Sequence, residues 1–348
     1  MIRILGAPAD IVDLSKASRV RAGDPGVDII DGAIIPLIAP ATFPRFEGEG
    51  AETYSGWKAG AYDRDGRVCS ASLLDRSWTR VTIPFEAAEI ERDAPARHYK
   101  DAVYGGVIFR LYGHFLLEST NRLWWAIQND FKGPIIFQGG GRIPEYISRF
   151  FELIGLADQV VFATSPVKVD KLIVPHRSLV IQKYIHACFR TPFLKAGAAA
   201  ESYVTELNEI VRADAAGVYL TRNQYNFRRS LGEMEIENIF RRNDYDIVSP
   251  ERLKIEHQIA MMRSHDNFAG ILGSAFHNLL FSEHGLTTTC ICRDSWLNTN
   301  YLMIDEIMNN DATYIYTAST GAGYDEDVVL NVGEIKSRLR ATGLKIDA

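Results

Sequence analysis

Three side chains of acid–base and ionic type, His114, Glu118 and Arg122, recur at every fourth position of the stretch YGHFLLESTNRLWW. In an α-helix this spacing, together with Asn121, places them in one continuous arc opposite an apolar face. One helical turn separates His114 from Glu118, which is close enough for a hydrogen bond and for the proton exchange that both side chains can perform. The arc is either a solvent-facing Glu118–Arg122 ion pair or the wall of a site. Trp125 in the same arc argues against a wholly solvated face, and the sequence alone leaves both interpretations open.

A second group of charged side chains lies in the loop TRNQYNFRRSLGEMEIE, between a predicted strand and a predicted helix. It concentrates Arg222, Arg228 and Arg229 in a chain that is acidic overall. Guanidinium groups suit phosphate oxygens, and a helix start adds free N–H groups and the positive end of the helix dipole. The loop is therefore either a phosphate site or a surface loop whose arginines pair with Glu233 and Glu235.

A third feature is the strand-to-helix turn GILGSAFHN. Gly273 and Ser274 stand where a backbone can approach a ligand closely, and His277 and Asn278 follow on the first helical turn. An ordinary capping turn is the alternative. The turn is not a P-loop, because no Gly-Lys-Ser/Thr follows, and no Gly-x-Gly-x-x-Gly stands after a strand. Gly-x-Ser-x-Gly, His-Glu-x-x-His and Cys-x-x-Cys are also absent, so hydrolase, zinc-protease and thioredoxin-like functions have no support.

Composition excludes several classes of protein. The 348 residues are 47% hydrophobic and 24% charged, which is ordinary for a folded chain, and a net charge of −6 argues against a general nucleic-acid binder. Four scattered cysteines predict buried thiols rather than a disulfide framework or a metal site. No signal-peptide core and no run of about 18 apolar residues is present. These features predict a cytoplasmic protein without a transmembrane segment.

Strands and helices alternate regularly in the second half, which predicts a parallel sheet with crossover helices. Predicted strands lie at 217–222, 245–249, 267–272, 287–293 and 312–317, and predicted helices at 232–244, 254–266 and 274–283. The first half, with one long helix over Tyr112–Asn129, indicates another α/β layer with antiparallel additions.

The Ala/Gly-rich stretch LKAGAAAE marks the domain boundary. We predict a first α/β domain over 1–195 and a second over 196–330. A C-terminal helix within 331–348 could pack back on the first domain. Two such domains would face one another across a cleft where the strand ends meet, a common position for a ligand.

Taken together, these stretches resemble glycosyltransferase family 61, which includes plant xylan-decorating enzymes, animal glycan-modifying enzymes and bacterial capsule-biosynthesis proteins. Three ordered blocks carry the resemblance over about residues 104–285: GHFLLESTNRLWW, VYLTR with FRRSLGEMEI, and IEHQIAMMRSHDNFAGILGSAFHNLLF. Three positions depart from the family pattern. Gly232 stands where the family usually has Asn, Leu272 where it has His, and Ser274 where it has Ala.

The resemblance implies a GT-B-like architecture of two Rossmann-like domains, and an inverting, metal-independent hexosyl or pentosyl transfer from a nucleotide sugar, of the uridine diphosphate type. No cofactor is expected. The acceptor would be a glycan or lipid-linked glycan in capsule or other surface-polysaccharide synthesis, so that peripheral association with the inner face of a membrane is compatible with a cytoplasmic location.

The resemblance also implies roles for individual residues. Glu118 or His114 would be the base, each able instead to orient the other, with Asn121 and Arg122 on the acceptor side. The residues expected to bind the donor are Arg222, Arg228, Arg229, Glu233, Gly273, Ser274, His277 and Asn278. The rival hypothesis is a non-catalytic nucleotide- or glycan-binding scaffold of a polysaccharide assembly complex, for which the departures at Gly232 and Leu272 are the best argument.

Overall fold

The computed structural model describes residues 1–44, 53–90, 97–224, 228–293, 296–317 and 326–346. The chain divides into two compact units. The C-terminal unit comprises Met1–Ser18 and Ala196–Ala348, and the N-terminal unit comprises Arg19–Lys195. Within the described ranges, every helix is too short or too polar to cross a membrane.

Most strands of the main sheets are four to eleven residues long, and several two-residue strands accompany them. In chain order the strands are β1 (Ile2–Leu5), β2 (Val20–Arg21), β3 (Val27–Ile35), β4 (Ala39–Pro44), β5 (Thr53–Lys58), β6 (Thr82–Ile83), β7 (Arg97–Val107), β8 (Ile135–Gln138), β9 (Val160–Phe162), β10 (Val167–Pro175), β11 (Leu179–Val180), β12 (Tyr184–His186), β13 (Gly217–Leu220), β14 (Ser230–Leu231), β15 (Tyr245–Val248), β16 (Asn267–Ile271), β17 (Thr287–Ile291), β18 (Asp311–Ile315) and β19 (Val328–Val329).

The helices are short and include several 3-10 segments and one π-helical turn. The α-helices are α1 (Ala9–Leu14), α2 (Tyr112–His114), α3 (Leu123–Gln128), α4 (Glu145–Leu153), α5 (Thr191–Ala200), α6 (Val204–Leu207), α7 (Glu233–Arg242), α8 (Ile255–Ser264), α9 (Thr299–Met308) and α10 (Val332–Leu339). The π-helical turn is Phe115–Ser119. The 3-10 helices are Ser70–Ser72, Ala87–Glu89, Ala157–Gln159, Ala187–Arg190, Glu201–Tyr203, Pro250–Arg252, Ser274–Phe281 and Arg340–Thr342.

The main sheet of the C-terminal unit is parallel throughout, in the order β1-β18-β17-β16-β13-β15. Strands β13, β16 and β18 are almost wholly buried, as expected for parallel strands covered on both faces. Helices α7, α8 and α9 and the 3-10 helix Ser274–Phe281 connect successive strands. The α/β alternation predicted from the sequence is confirmed. Because β13 and β16 are parallel neighbours, the loops that follow them lie at the same edge of the sheet.

Strand β1 joins this sheet and helix α10 packs against it, which the sequence did not indicate. Strand β1 pairs with β18, so residues 1–18, assigned above to the first domain, belong to the C-terminal unit. Helix α10 belongs to the C-terminal unit. It packs against α7 and β18, where Ile335 and Leu339 enter the same apolar core as Phe240. The i,i+4 spacing of these two side chains gives α10 one apolar face, and the sheet of its own unit buries that face.

The N-terminal unit contains a mixed sheet in the order β3-β10-β7-β8-β9. Strand β3 is antiparallel to β10, and the other pairs are parallel, which confirms an α/β layer with antiparallel additions. Its core includes Tyr104, Ile136 and Leu172, all fully buried. Smaller sheets β4-β5-β6 and β11-β12-β2 complete the unit.

The single helix predicted over Tyr112–Asn129 is wrong. The chain forms α2, then the π-helical turn, and returns to α-helix only at Leu123. The Thr120 hydroxyl donates to the Leu116 carbonyl (2.6 Å), and the Asn121 carbonyl accepts hydrogen bonds from the N–H (2.9 Å) and hydroxyl (2.7 Å) of Ser178. These bonds replace the helical ladder between the two helices. The predicted helix 274–283 is likewise a 3-10 helix, Ser274–Phe281.

A buried carboxyl group in the C-terminal unit predicts a pH dependence of stability. Asp305 on α9 accepts hydrogen bonds from Tyr314 Oη and from Asn310 Nδ2 (2.8 Å), and burial raises the pKa of its carboxyl to about 6. The native state therefore binds more protons than the unfolded state between about pH 4 and 6, so stability falls as pH rises through this window. Above this pH window the ionised Asp305 lowers the free energy of unfolding by its full amount, about 1–3 kcal/mol.

Urea unfolding of Asp305→Asn at about pH 4.5 and 7.5 measures this effect. The variant is expected to lose less stability than the wild type between the two pH values. Asp311→Asn is a suitable control, because that carboxylate is about half exposed. Equal losses in Asp305→Asn and the wild type would contradict the prediction.

Candidate active site

In the N-terminal unit, His114 and Glu118 are in direct contact. His114 Nδ1 lies 2.5 Å from Glu118 Oε2. Arg76, from a turn 42 residues upstream, donates from Nε to Oε1 (2.9 Å) and from Nη2 to Oε2 (2.8 Å) of the same carboxylate. Its third nitrogen, Nη1, donates to the hydroxyl of Tyr54 (3.2 Å). Both oxygens of Glu118 are therefore engaged, and the arrangement is a His–Glu–Arg chain.

Burial differs sharply along this chain. The side chains of Glu118 and Arg76 are 2% and 10% exposed, whereas His114 is 37% exposed. Burial by itself would raise the pKa of the Glu118 carboxyl. The hydrogen bond from His114 and the charge of Arg76 outweigh burial, so the pKa is lowered overall. The result is an ionised, interior carboxylate beside an imidazole that solvent can reach.

An ionised carboxylate at Nδ1 also fixes the proton on the imidazole ring. Oε2 can only accept, so the neutral imidazole carries its proton on Nδ1 and donates it to Glu118. Nε2 is then the free lone pair, and no hydrogen bond to it comes from the described part of the chain. The ring packs 5.8 Å from Phe109. Such a ring can accept a proton from a hydroxyl group.

Asn121 and Arg122, predicted for the acceptor side, face the interior instead. Each is at most 2% exposed. Asn121 donates to the Leu179 carbonyl (3.3 Å), and Arg122 donates to the carbonyls of Pro175 and Ala71. Burial lowers the pKa of Arg122 to about 10. These two side chains join separate segments of the N-terminal unit. The polar arc is therefore not a solvated face, and neither Asn121 nor Arg122 lines a surface that an acceptor could reach.

In the C-terminal unit, the structure brings Arg222 and Gly273 together. A Cβ atom on Gly273 would lie only 2.4 Å from Arg222 Nη1, so a larger residue at this position would displace the guanidinium. Gly273 precedes the 3-10 helix Ser274–Phe281, and Ser274 is exposed at its start. A guanidinium and the first N–H groups of this helix thus lie at one edge of the sheet, an arrangement suited to an anion.

Glu233 holds the backbone of Arg222 in place. Its Oε1 accepts hydrogen bonds from the Arg222 N–H (3.0 Å) and from Tyr219 Oη (3.3 Å). Its side chain is fully buried, and burial raises the pKa of the carboxyl to about 7. Gly232, the preceding residue, has φ +99° at the start of α7. Gly adopts this left-handed conformation without strain, and Asn adopts it more readily than most other residues, so Gly in place of the family's Asn preserves the turn.

The remaining arginines of the loop have other partners. Arg229 binds Asp327 through its backbone N–H (2.8 Å), Nε (2.8 Å) and Nη2 (2.6 Å). The partners Glu233 and Glu235 considered from the sequence are therefore wrong for Arg229. Arg228 has φ +54°, and its carbonyl accepts a hydrogen bond from Arg293. Residues 225–227 of the loop lie outside the described residues.

His277 and Asn278 are both buried in the 3-10 helix. The His277 ring stacks on Tyr301, with centroids 5.1 Å apart and planes inclined by 20°. Asn278 Nδ2 donates to Gln258 Oε1 (2.9 Å), which ties this helix to α8. Asn278 is thus a packing residue rather than a group directed at a ligand.

Sequence reasoning missed Arg76 and Tyr54. They precede the recognisable blocks, and no local spacing connects them with Glu118. Asp75 and Arg177, which fix the turn that carries Arg76, were also missed, because no local spacing connects them with each other or with Glu118. Among the residues that the structure describes, no cluster of three or more His, Cys, Asp or Glu side chains could hold a metal ion.

Comparison with known proteins gives one family. A family model described as Glycosyltransferase 61 matches residues 112–292, slightly more than half of the chain. The match includes His114, Glu118, Arg222 and Gly273, whereas Arg76 lies before it. A search of the curated proteins finds no match.

Proposed function

This chain belongs to the glycosyltransferase 61 family, and from that premise we propose that it transfers a sugar from a nucleotide sugar to a glycan acceptor with inversion and without a metal. The observation that carries the proposal is the contact between the accessible imidazole of His114 and the ionised, buried carboxylate of Glu118. Inversion takes a single displacement, in which one base removes the proton of the acceptor hydroxyl.

Of the two candidates for the base, His114 fits better. Glu118 is almost inaccessible, both its oxygens accept hydrogen bonds, and its lowered pKa makes it a weak base. Its proposed role is to keep the Nδ1 proton in place and to stabilise the imidazolium that forms. In the reaction, Nε2 takes the acceptor proton, the acceptor oxygen bonds to the anomeric carbon, and the bond from that carbon to the diphosphate breaks.

The departing nucleoside diphosphate gains negative charge, which donor-side groups must stabilise. We assign this role to Arg222 and to the N–H groups at Gly273 and Ser274. Glu233 holds the Arg222 backbone, and the Arg229–Asp327 pair fixes the far end of the loop. Arg228 and His277 stay candidate donor contacts.

Family membership supports three finer proposals. We propose a GT-B arrangement with the nucleotide on the C-terminal unit and the base on the N-terminal unit, a uridine diphosphate sugar as donor, and a role in capsule or other surface-polysaccharide synthesis in the cytoplasm. The resemblance to bacterial capsule-biosynthesis members favours the last of these.

The rival function, a non-catalytic nucleotide- or glycan-binding scaffold, is the weaker candidate. One of its two arguments was the departure at Gly232, and the left-handed backbone there accepts Gly as well as Asn. The departure at Leu272 is the remaining argument for it.

A panel of nucleotide sugars tests the proposal in two steps. Donors that bind the native protein raise its melting temperature, which selects candidates for transfer assays with oligosaccharide acceptors. Release of the nucleoside diphosphate together with a glycosylated product supports the transferase. Tight binding with no transfer from any donor would favour the scaffold.

Transfer is expected to keep its full rate in excess chelator. Arg222 and the N–H groups at Gly273 and Ser274 provide the positive charge for the leaving group that a divalent cation provides in other transferases. Initial rates with chelator, and with added manganese or magnesium, measure this directly. A rate that returns only when one of these cations is added would overturn the metal-independent mechanism.

A further inference from the structure

The turn that carries Arg76 is held in place at several points. The Arg76 N–H donates to the Thr79 carbonyl (2.8 Å), and Asp75 pairs with Arg80 in a short antiparallel bridge. Arg177 Nη1 donates to the Asp75 carbonyl (2.8 Å), and its Nη2 binds the Asp75 carboxylate. The next residue in the turn, Ser77, donates its N–H to the Ile181 carbonyl (3.2 Å). The backbone on both sides of Arg76 is therefore anchored to the body of the N-terminal unit.

From this anchored position the guanidinium reaches both partners of the His114–Glu118 contact. Its Nε and Nη2 form a fork on the two carboxylate oxygens of Glu118, and Nη2 also lies 3.2 Å from His114 Nδ1. A bidentate pair of this kind fixes the orientation of the carboxylate as well as its charge. The fork thus determines where Oε2 meets the imidazole.

We propose that Arg76 is a positioning residue for the transfer reaction, which holds the Glu118 carboxylate aligned on Nδ1 so that His114 Nε2 can take the acceptor proton. This inference rests on the proposed function, in which His114 is the base. It assigns a role to a residue outside the stretch 112–292 that matches the family.

An electrostatic effect gives the role a measurable signature. Without the guanidinium, burial of Glu118 is opposed only by His114, so the carboxyl keeps its proton to a higher pH. A protonated Glu118 no longer holds the Nδ1 proton of His114 by accepting it, so the acid limb of the pH–rate profile moves upward. Tyr54, which contacts the same guanidinium through its hydroxyl, leaves this sign unchanged.

A purely structural ion pair predicts something different. Its loss would lower the melting temperature and the fraction of folded enzyme. The folded molecules would keep the pH profile of the wild type. The pH profile therefore separates the two roles, whereas stability alone does not.

The experiment compares Arg76→Ala, Arg76→Lys, Glu118→Gln and the double variant Arg76→Ala/Glu118→Gln with the wild type. For each variant kcat and kcat/KM are measured across the pH range. Arg76→Ala is expected to lower kcat roughly 10–100-fold, the range found when a group that orients a metal-binding side chain is removed, and to shift the acid limb upward. Arg76→Lys keeps the charge but not the fork, so kcat should fall by about 3–10-fold with the acid limb near that of the wild type. In the Glu118→Gln background, the loss of Arg76 should have little further effect.

Arg67→Ala is the matched control, because Arg67 forms exposed pairs with Asp63 and Asp65 in the same unit. Wild-type kcat and pH profile in Arg76→Lys and Arg76→Ala, while His114→Ala is inactive, would overturn the inference alone. If Arg76→Ala does not fold, unchanged kcat in Arg76→Lys has the same consequence. Wild-type turnover in His114→Ala would instead contradict the proposed function.

Discussion

Replacement of His114 by alanine is expected to lower kcat by roughly 10²–10⁴, the usual contribution of a positioned acid–base group. The affinity for nucleoside diphosphate should stay close to that of the wild type, because the assigned donor contacts are in the C-terminal unit. Thermal stability should fall only modestly, because the buried Glu118 carboxylate loses the hydrogen bond from His114 but keeps both hydrogen bonds from Arg76. The measurements are kcat from transfer assays, the dissociation constant of the diphosphate by calorimetry, and the melting temperature.

His98→Ala is the matched control for this variant. His98 also contacts a carboxylate, with Nε2 2.7 Å from Asp170 Oδ1, but both side chains are about 60% exposed. The control should keep wild-type turnover. Glu118→Gln is a less clean test than His114→Ala, because it also leaves the buried Arg76 without its carboxylate and should lower stability. Wild-type kcat in His114→Ala would contradict the role of His114 as base.

The second large effect is expected on the donor side. Arg222→Ala should weaken nucleoside diphosphate binding by about 1.5–3 kcal/mol, the range for hydrogen bonds to charged groups. The reason is that Arg222 lies against Gly273, at the edge of the sheet where the 3-10 helix Ser274–Phe281 begins. The guanidinium and the first N–H groups of that helix are therefore close together. Calorimetric titration of uridine diphosphate into the wild type and the variant measures the difference.

Arg212→Ala controls for the loss of any arginine from this unit. Arg212 precedes β13, at the opposite end of that strand, and binds Asp244 and Asp246 there. Its removal should leave diphosphate affinity unchanged. Arg229→Ala should have a smaller effect than Arg222→Ala, because Arg229 already binds Asp327. Equal affinities in the wild type and Arg222→Ala would remove Arg222 from the donor site.

The spacing of apolar and polar residues along the sequence predicted those parts of the fold that short stretches of chain determine. Alternating apolar strands and amphipathic helices indicated the parallel sheet of the C-terminal unit, which β13, β15 and β16 confirm. The i,i+4 spacing of His114 and Glu118 correctly predicted that they are close enough to hydrogen-bond. The strand-to-helix loops after β13 and β16 meet at one edge because parallel strands place them there.

The structure differs from the sequence-based predictions where contacts between residues far apart in the chain decide the outcome. Glu118 and Arg122 of the polar arc are interior because Arg76 reaches Glu118 from far upstream and Arg122 binds distant carbonyls. The predicted helix is interrupted at Asn121 because the Asn121 carbonyl accepts a hydrogen bond from Ser178. Arg229 binds Asp327, which lies 98 residues further along the chain. A short strand such as β1 carries no sequence signal for which sheet it joins. Neither spacing nor propensity contains information on such partners.

The anomeric configuration of the first product tests the central claim most directly. A donor of known configuration is supplied with an acceptor, and the linkage in the product is assigned by NMR before any further reaction. A single displacement with His114 as base predicts inversion at the anomeric carbon. Retention of the donor configuration would contradict the account, because a single in-line displacement always inverts the anomeric carbon.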